Sequence, residues 1–181
     1  ELDEVGTPLN FKWDKCKLET VSFGHGITTT PLQAASAYAS LVNGGHLVYP
    51  TLYKDRKTYL KKRIISEDTS NKIQKILRKV VTDEKGTASL ADIFGYSVSG
   101  KTGTSQYYND KNKNINTFIS FFIANYKKYI LLVMLDNPQV ASDLTYNYRG
   151  VKIKGTRNEA GWNAVYSAGK IIEQIGPILA I

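Results

Sequence analysis

Tyr96-Ser97-Val98-Ser99-Gly100-Lys101-Thr102-Gly103-Thr104-Ser105-Gln106 is the stretch on which the reading of this chain turns. Its first five residues alternate as a half-buried strand does. A polar loop over 107–116 follows. Beyond it, 117–124 and 129–135 are apolar runs rich in β-branched and aromatic residues, and Asn125-Tyr126-Lys127-Lys128 joins them as a hairpin. Three consecutive strands near 96–135 predict an antiparallel sheet.

Helices lie on either side of these strands in sequence. Thr30, Pro31 and Gln33 carry the signature of a capping box with proline at the first helical position. That helix should run through Ala34, Ala35, Ala37, Tyr38 and Leu41 and stop at Asn43-Gly44-Gly45. Residues 46–53 read as a short strand, and Arg63-Ile64-Ile65 as another. Ser66-Glu67-Asp68 opens a second helix with acids in its first turn, where the helix dipole favours them. Ile73, Ile76, Leu77 and Val80 follow helical spacing. A short helical piece is expected around 88–93, and 137–154 reads as loop. Thr156 and Glu159 predict the start of a last helix. Its apolar positions are Trp162, Val165, Ala168, Ile172 and Ile175, and Gly176-Pro177 should end it. Residues 1–22 read as irregular, and neither a repeat nor a low-complexity segment is present. The order predicts an α+β domain, with helices packed on the faces of the sheet and the C-terminal helix lying on it.

Bulk properties bound the function. A chain of 181 residues fits one domain with a substantial core. Hydrophobic residues make up 42% and charged residues 22%, ordinary for a globular chain. No run of 18 or more apolar residues exists. Glu1-Leu2-Asp3-Glu4 offers no basic or apolar leader, so the chain is expected to be a piece of something longer. In preference to a face for an anionic partner such as nucleic acid, a membrane surface or a polyanionic wall, the formal net charge of +8 reads as a solvated lysine-rich surface. Its densest cluster is Lys54-Asp55-Arg56-Lys57 with Lys61-Lys62-Arg63. No RNA-binding aromatic pattern or zinc-finger spacing accompanies it, so no nucleic-acid partner is expected. Cys16 is the only cysteine and sits in a polar stretch without a motif.

Chemistry enters with Lys101-Thr102-Gly103. From 19 Lys, 15 Thr and 14 Gly, chance supplies only about 0.12 such triplets, and Thr104 lowers that about tenfold. On a strand, this triplet lines the active-site edge of enzymes that acylate a serine in a Ser-x-x-Lys motif.

Several separated stretches resemble the class B penicillin-binding proteins of the division type. They are Ser22-Phe23-Gly24-His25-Gly26, Thr30-Pro31-Leu32-Gln33, and Leu41-Val42-Asn43-Gly44-Gly45 with Pro50. Ser99-Gly100-Lys101-Thr102-Gly103-Thr104-Ser105-Gln106 is similar to their active-site strand, and Leu135-Asp136-Asn137-Pro138-Gln139 to the end of their last strand. The family also carries Ser-x-x-Lys and then Ser-x-Asn upstream of Lys-Thr-Gly, and here the pattern departs. Ser-x-Asn is absent. The one Ser-x-x-Lys, Ser167-Ala168-Gly169-Lys170, follows the strand, and about 1.3 such matches arise by chance. Tyr107-Tyr108-Asn109, a formal Tyr-x-Asn, is likewise misplaced. The resemblance therefore implies that residues 1–181 are the C-terminal half of a transpeptidase domain with a serine β-lactamase-like fold. The nucleophile-bearing part lies outside the chain, and the chain alone is expected to be inactive.

By the same resemblance, the parent protein is a septal peptidoglycan D,D-transpeptidase that cross-links stem peptides and binds penicillin as a serine acyl-enzyme. Lys101 and Thr104 are the implied catalytic residues. Lys101, Thr102, Gly103, Thr104 and Gln106 are the implied substrate-binding residues. Lys101 brings positive charge to the cleft, Thr102 and Thr104 offer hydroxyls to a terminal carboxylate, and Gly103 leaves room for the acyl chain. The Thr104 amide is one oxyanion donor. No cofactor or metal is expected. The implied partners are stem peptides, β-lactams and cell-division membrane proteins. Self-association is expected where removing half a domain exposes apolar surface. The implied location is the extracytoplasmic (periplasmic) face of the bacterial membrane, through an anchor not in this chain.

Other residues carry weaker signals. His25 and His46 read as packed or surface residues, and Gly24-x-Gly26 is no dinucleotide loop, since Thr29 stands at the third glycine position. Tyr107, Tyr108, Tyr146 and Tyr148 either rim the groove or lie on the surface, and Trp13 and Trp162 read as packing residues. The competing readings are a non-catalytic β-lactam-sensing or wall-peptide-binding module, a D,D-carboxypeptidase or serine β-lactamase, and a basic binding domain. The Pro31-Leu32-Gln33 helix and the Asp136-Asn137-Pro138-Gln139 segment favour the transpeptidase.

Overall fold

A computed structural model describes residues 13, 15–24, 26–54, 62–107 and 110–181. His25, Tyr108, Asn109 and most of the basic cluster lie outside the described residues. The elements are α1 (Lys17–Ser22), α2 (Pro31–Val42), α3 (Glu67–Thr82), a 3₁₀ turn (Ser89–Ala91), β1 (Ser99–Gln106), β2 (Asn114–Ala124), β3 (Lys127–Asp136), β4 (Thr145–Tyr148), β5 (Val151–Lys154) and α4 (Ala164–Leu179).

The strands at β1, β2 and β3 form one antiparallel sheet in that order, as expected. Alternation along β2 gives each face its own core. Phe118 and Phe122 pack with Val165, Ala168 and Ile172 of α4. Phe121 on the opposite face packs with Tyr38 and Val42 of α2 and Leu77 of α3. Helices thus cover both faces, and the C-terminal helix lies on the sheet.

Local chemistry sets the helix starts. The Thr30 hydroxyl accepts from the Gln33 amide at 3.2 Å, and the Thr30 amide donates to Gln33 Oε1 at 3.1 Å. The Ser66 hydroxyl accepts from the Thr69 amide at 3.1 Å. Such caps satisfy donors that the first turn leaves without helical partners.

Several boundaries differ from expectation. The first ladder begins at Ser99, because Ser97 takes φ 47° and turns the chain just before it. The polar loop closes early, and β2 starts at Asn114. The hairpin turn is the residue pair Asn125-Tyr126, with φ 46° and 60°, values that match the twist of the flanking strands. The expected loop 137–154 holds a second hairpin, β4–β5, turned at Arg149 (φ 53°) and Gly150 (φ 83°). The expected strands at 46–53 and 63–65 reduce to one bridge, His46 to Arg63, since the Gly45 carbonyl accepts from both Ile64 and Ile65. Residues 17–22, expected to be irregular, form α1, where the Thr20 hydroxyl donates back to the Cys16 and Lys17 carbonyls.

The helical stripe of α3 is also rotated from the expected one. Leu77 and Val81 are buried and Ile76 is 62% exposed, because Ser70 turns inward to bond the end of α2. The last helix starts at Ala164, capped by Asn163 rather than Thr156. It runs through Gly176-Pro177 to Leu179; Gly176 lies against the Tyr96 ring, where a side chain has no room. Trp13, expected to pack, is exposed.

Candidate functional site

β1 is an edge strand. No strand among the described residues pairs with its outer side, so half of its backbone donors and acceptors face outward. The ladder sets Lys101 opposite Ile119, Thr102 opposite Phe118, Gly103 opposite Thr117 and Thr104 opposite Asn116. Side chains alternate across the sheet, so Thr102 and Thr104 share the α4 face, and Lys101 and Gly103 share the other. Lys101, Gly103, Thr104 and Gln106 are exposed and Thr102 is half-buried.

The strand is held from behind. Arg78 on α3 donates to the Val98 carbonyl at 2.6 Å and to Asp92 at 2.9 Å. The Tyr38 hydroxyl lies 3.5 Å from the Ser99 carbonyl. Gly100 is required where β1 presses on its neighbour: a Cβ there would stand 2.6 Å from the Phe118 ring and 2.7 Å from the Ile119 carbonyl.

Thr102 and Thr104 open into a cleft of about 400 Å³. Its walls come from the loop after α3 (Glu84, Thr87) and the segment before α4 (Arg157, Trp162), with Tyr148 of β4 beside them. The Thr87 and Thr102 hydroxyls are 2.9 Å apart. The Thr104 hydroxyl accepts from the Ala160 amide at 3.2 Å. Lys101 curls back over the edge, and its ammonium donates to the Thr102 carbonyl at 2.8 Å.

The far wall is aromatic and cationic. Tyr148 stacks on Trp162 at 5.2 Å, and the Arg157 guanidinium sits 5.5 Å from the Trp162 ring centre. Tyr148 is held below the ordinary phenol range, chiefly by the Arg149 guanidinium, which sits 5.6 Å from its ring centre. Arg149 in turn donates to the Asp83 carbonyl, tying this hairpin to the end of α3.

Of the five residues expected at the site, the fold brings Thr102 and Thr104 together in the cleft, while Lys101 and Gly103 belong to the other face of β1, the Lys101 ammonium reaching back to the Thr102 carbonyl. Gln106 turns to its own loop, its amide 3.4 Å from the Lys111 carbonyl. Among the tyrosines, Tyr148 lines the cleft, Tyr146 is buried and Tyr107 donates to Asp136. Trp162 does more than pack, since it also forms a wall. Thr87, Arg157 and Ala160 were not legible as site residues in the sequence. The nearest signal is a loop glycine: a Cβ on Gly161 would stand 2.6 Å from the Thr87 carbonyl, so the walls come this close there only because residue 161 has no side chain.

An antiparallel sheet between helices, whose edge strand bears Lys-Thr-Gly over a cleft, defines an α+β domain of the penicillin-binding, serine β-lactamase-like class. Residues 3–155 match the penicillin binding protein transpeptidase domain family, and the chain belongs to it. It is 34% identical over 200 residues to the probable peptidoglycan D,D-transpeptidase FtsI of Caulobacter vibrioides, covering 100% of this chain and 31% of that protein. It is 38% identical over 158 residues to stage V sporulation protein D of Bacillus subtilis, covering 77% of this chain and 24% of that protein. The chain thus spans less than a third of either relative. Among solved structures, the transpeptidase domain of the FtsI4 D,D-transpeptidase from Legionella pneumophila aligns with TM-score 0.63 and 28% identity, covering 92% of this chain and 56% of that one.

Proposed function

We propose that this chain is the ledge-bearing C-terminal half of a peptidoglycan D,D-transpeptidase domain, and that the attacking serine belongs to the other half. One observation carries the reading: Lys-Thr-Gly-Thr lies on an open sheet edge with two of its hydroxyls over a cleft. The share of 56% of a solved transpeptidase domain supports the division into halves.

In the proposed reaction the serine oxygen attacks the carbonyl between two D-alanines of a stem peptide. The C–N bond breaks, and the terminal D-alanine leaves with the serine's proton. An amine of a second stem then attacks the ester, and the serine oxygen takes a proton back. Splitting one hard step into two lowers the barrier. Lys101 supplies positive charge at the lip. Thr102 and Thr104 donate hydroxyl hydrogens to the terminal carboxylate. Gly103 lets the acyl chain lie along the edge as an added strand. The Thr104 amide is one oxyanion donor and the serine's own amide the other. Gln106 borders the acyl-chain track.

A β-lactam acylates the same serine, because its ring mimics the D-alanyl-D-alanine end. The protein works at the extracytoplasmic face of the membrane through an anchor elsewhere in the protein, beside cell-division membrane proteins. No helix among the described residues is long and apolar enough to cross a membrane. The isolated chain self-associates through apolar surface left by the absent half, which sedimentation at high concentration checks. The deciding experiment uses fluorescent penicillin. The chain joined to a segment with Ser-x-x-Lys and Ser-x-Asn should give a labelled band that survives denaturation, and the chain alone none. A band from the chain alone would move the nucleophile into it, with Ser167 the first candidate; no band from the joined protein would favour a non-catalytic binding module.

A further inference from the structure

Asn116 is the polar residue most out of place in this fold. It is fully buried on β2, directly across the ladder from Thr104. Its Nδ2 donates to the Asn158 carbonyl at 2.6 Å and to Asn163 Oδ1 at 3.2 Å. Asn163 Nδ2 donates to Asn158 Oδ1 at 3.0 Å, and Asn158 Nδ2 donates to the Pro138 carbonyl at 2.6 Å. Asn163 Oδ1 also accepts from the Ala164 amide at 2.6 Å, capping α4. Three asparagines therefore brace both ends of the segment 158–163 against β2 and α4. In the middle of that segment is Ala160, whose amide donates to the Thr104 hydroxyl.

Stability alone does not account for this arrangement. Asn116 Oδ1 is buried without a hydrogen-bond partner. A buried acceptor left unpaired costs free energy, and an apolar side chain of similar volume avoids that cost. What the network achieves is placement. A threonine hydroxyl has one hydrogen to give and two lone pairs. The Ala160 amide occupies a lone pair, which leaves the hydrogen free to point into the cleft.

We propose that Asn116, Asn158 and Asn163 are positioning residues that hold the Ala160 amide against Thr104 and so set Thr104 as a donor to the ligand carboxylate. The inference rests on the reading of Thr104 given above. It is tested in the protein that joins this chain to its nucleophile segment, by the rate of acylation with fluorescent penicillin. Asn158→Ala, at a half-buried position, and Asn116→Ser are each made with Thr104 and with Thr104→Val. With Thr104 present, each asparagine change is expected to slow acylation about tenfold, as small displacements of reacting groups do. With Thr104→Val, already slow, they should cause no further loss.

Equal losses in both backgrounds, or no loss in either, would overturn the proposal. If Thr104→Val acylates at the parent rate, the reading of Thr104 itself fails. If Thr104→Val is slow while Asn158→Ala is normal, only the network fails. Melting temperatures read alongside show whether Asn116→Ser folds; Asn158→Ala carries the test if it does not.

Discussion

Gly103 stands opposite Thr117 on the β1–β2 ladder, and a Cβ built on it would come no closer than 4.0 Å to the Thr117 Cβ. Three residues earlier, a Cβ on Gly100 would meet the Phe118 ring at 2.6 Å. The two glycines of one strand therefore serve different ends. Gly103→Ala is expected to leave the melting temperature nearly unchanged yet slow penicillin acylation of the joined protein, because in the proposed reaction the methyl would stand on the acyl-chain track. Gly100→Ala should cost about 1–3 kcal/mol, the range for overpacking a filled site. Thermal unfolding of both variants, with acylation rates for the first, checks the contrast.

Lys101 is exposed, so Lys101→Ala should change stability by no more than about 0.5 kcal/mol. Acylation in the joined protein should fall about 100-fold, the scale for losing one preorganised transition-state contact. Lys101→Arg should restore little, since a planar guanidinium does not replace a compact ammonium. Recovery to the parent rate with arginine would mean that charge alone matters there.

Ser70 is buried where α2 meets α3. Its hydroxyl donates to the Leu41 carbonyl at 2.6 Å and accepts from the Gly44 amide at 3.1 Å. Ser70→Ala leaves both groups without that partner and should cost about 1–3 kcal/mol in denaturant unfolding. Lys128 closes the same helix end: its ammonium donates to the Val42 carbonyl at 2.6 Å and to Gln74 at 2.6 Å.

Burial pushes the Tyr38 phenol well above its ordinary value of 10.0. Its neutral form is therefore favoured in the folded state. The resulting stability is complete below the unfolded value of 10.0 and is lost as pH rises above it, because only the unfolded chain gives up the proton. Tyr38 should add a loss of about 1.4 kcal/mol per pH unit there. Tyr38→Phe should remove that component, seen as a flatter alkaline unfolding profile. An unchanged slope would mean that the phenol is not shielded when folded.

Much of the fold was legible because its signals are local. Thr30, Pro31 and Gln33 state a helix start within one turn, and the apolar runs at 117–124 and 129–135 state two strands by composition. The misses have local causes too. Gly176-Pro177 reads as a stop, yet proline late in α4 removes a single donor, and packing against Tyr96 carries the helix on. Asn116 belongs to a polar stretch in sequence, and only its partners at Asn158 and Asn163 make a buried position tolerable for it.

The chain's order of residues was enough to determine the ledge: a strand alternates by geometry, so Lys101-Thr102-Gly103-Thr104 had to expose a lysine and a glycine on one side and two threonines on the other. It could not determine the cleft. Thr87, Tyr148, Arg157 and Trp162 reach Thr102 and Thr104 from segments far apart in the chain. What brings them together is the packing of α3 and α4 around one core, with the β4–β5 hairpin set through Tyr146 against Trp162 and Tyr166, a sum of long-range contacts that no short window of sequence contains.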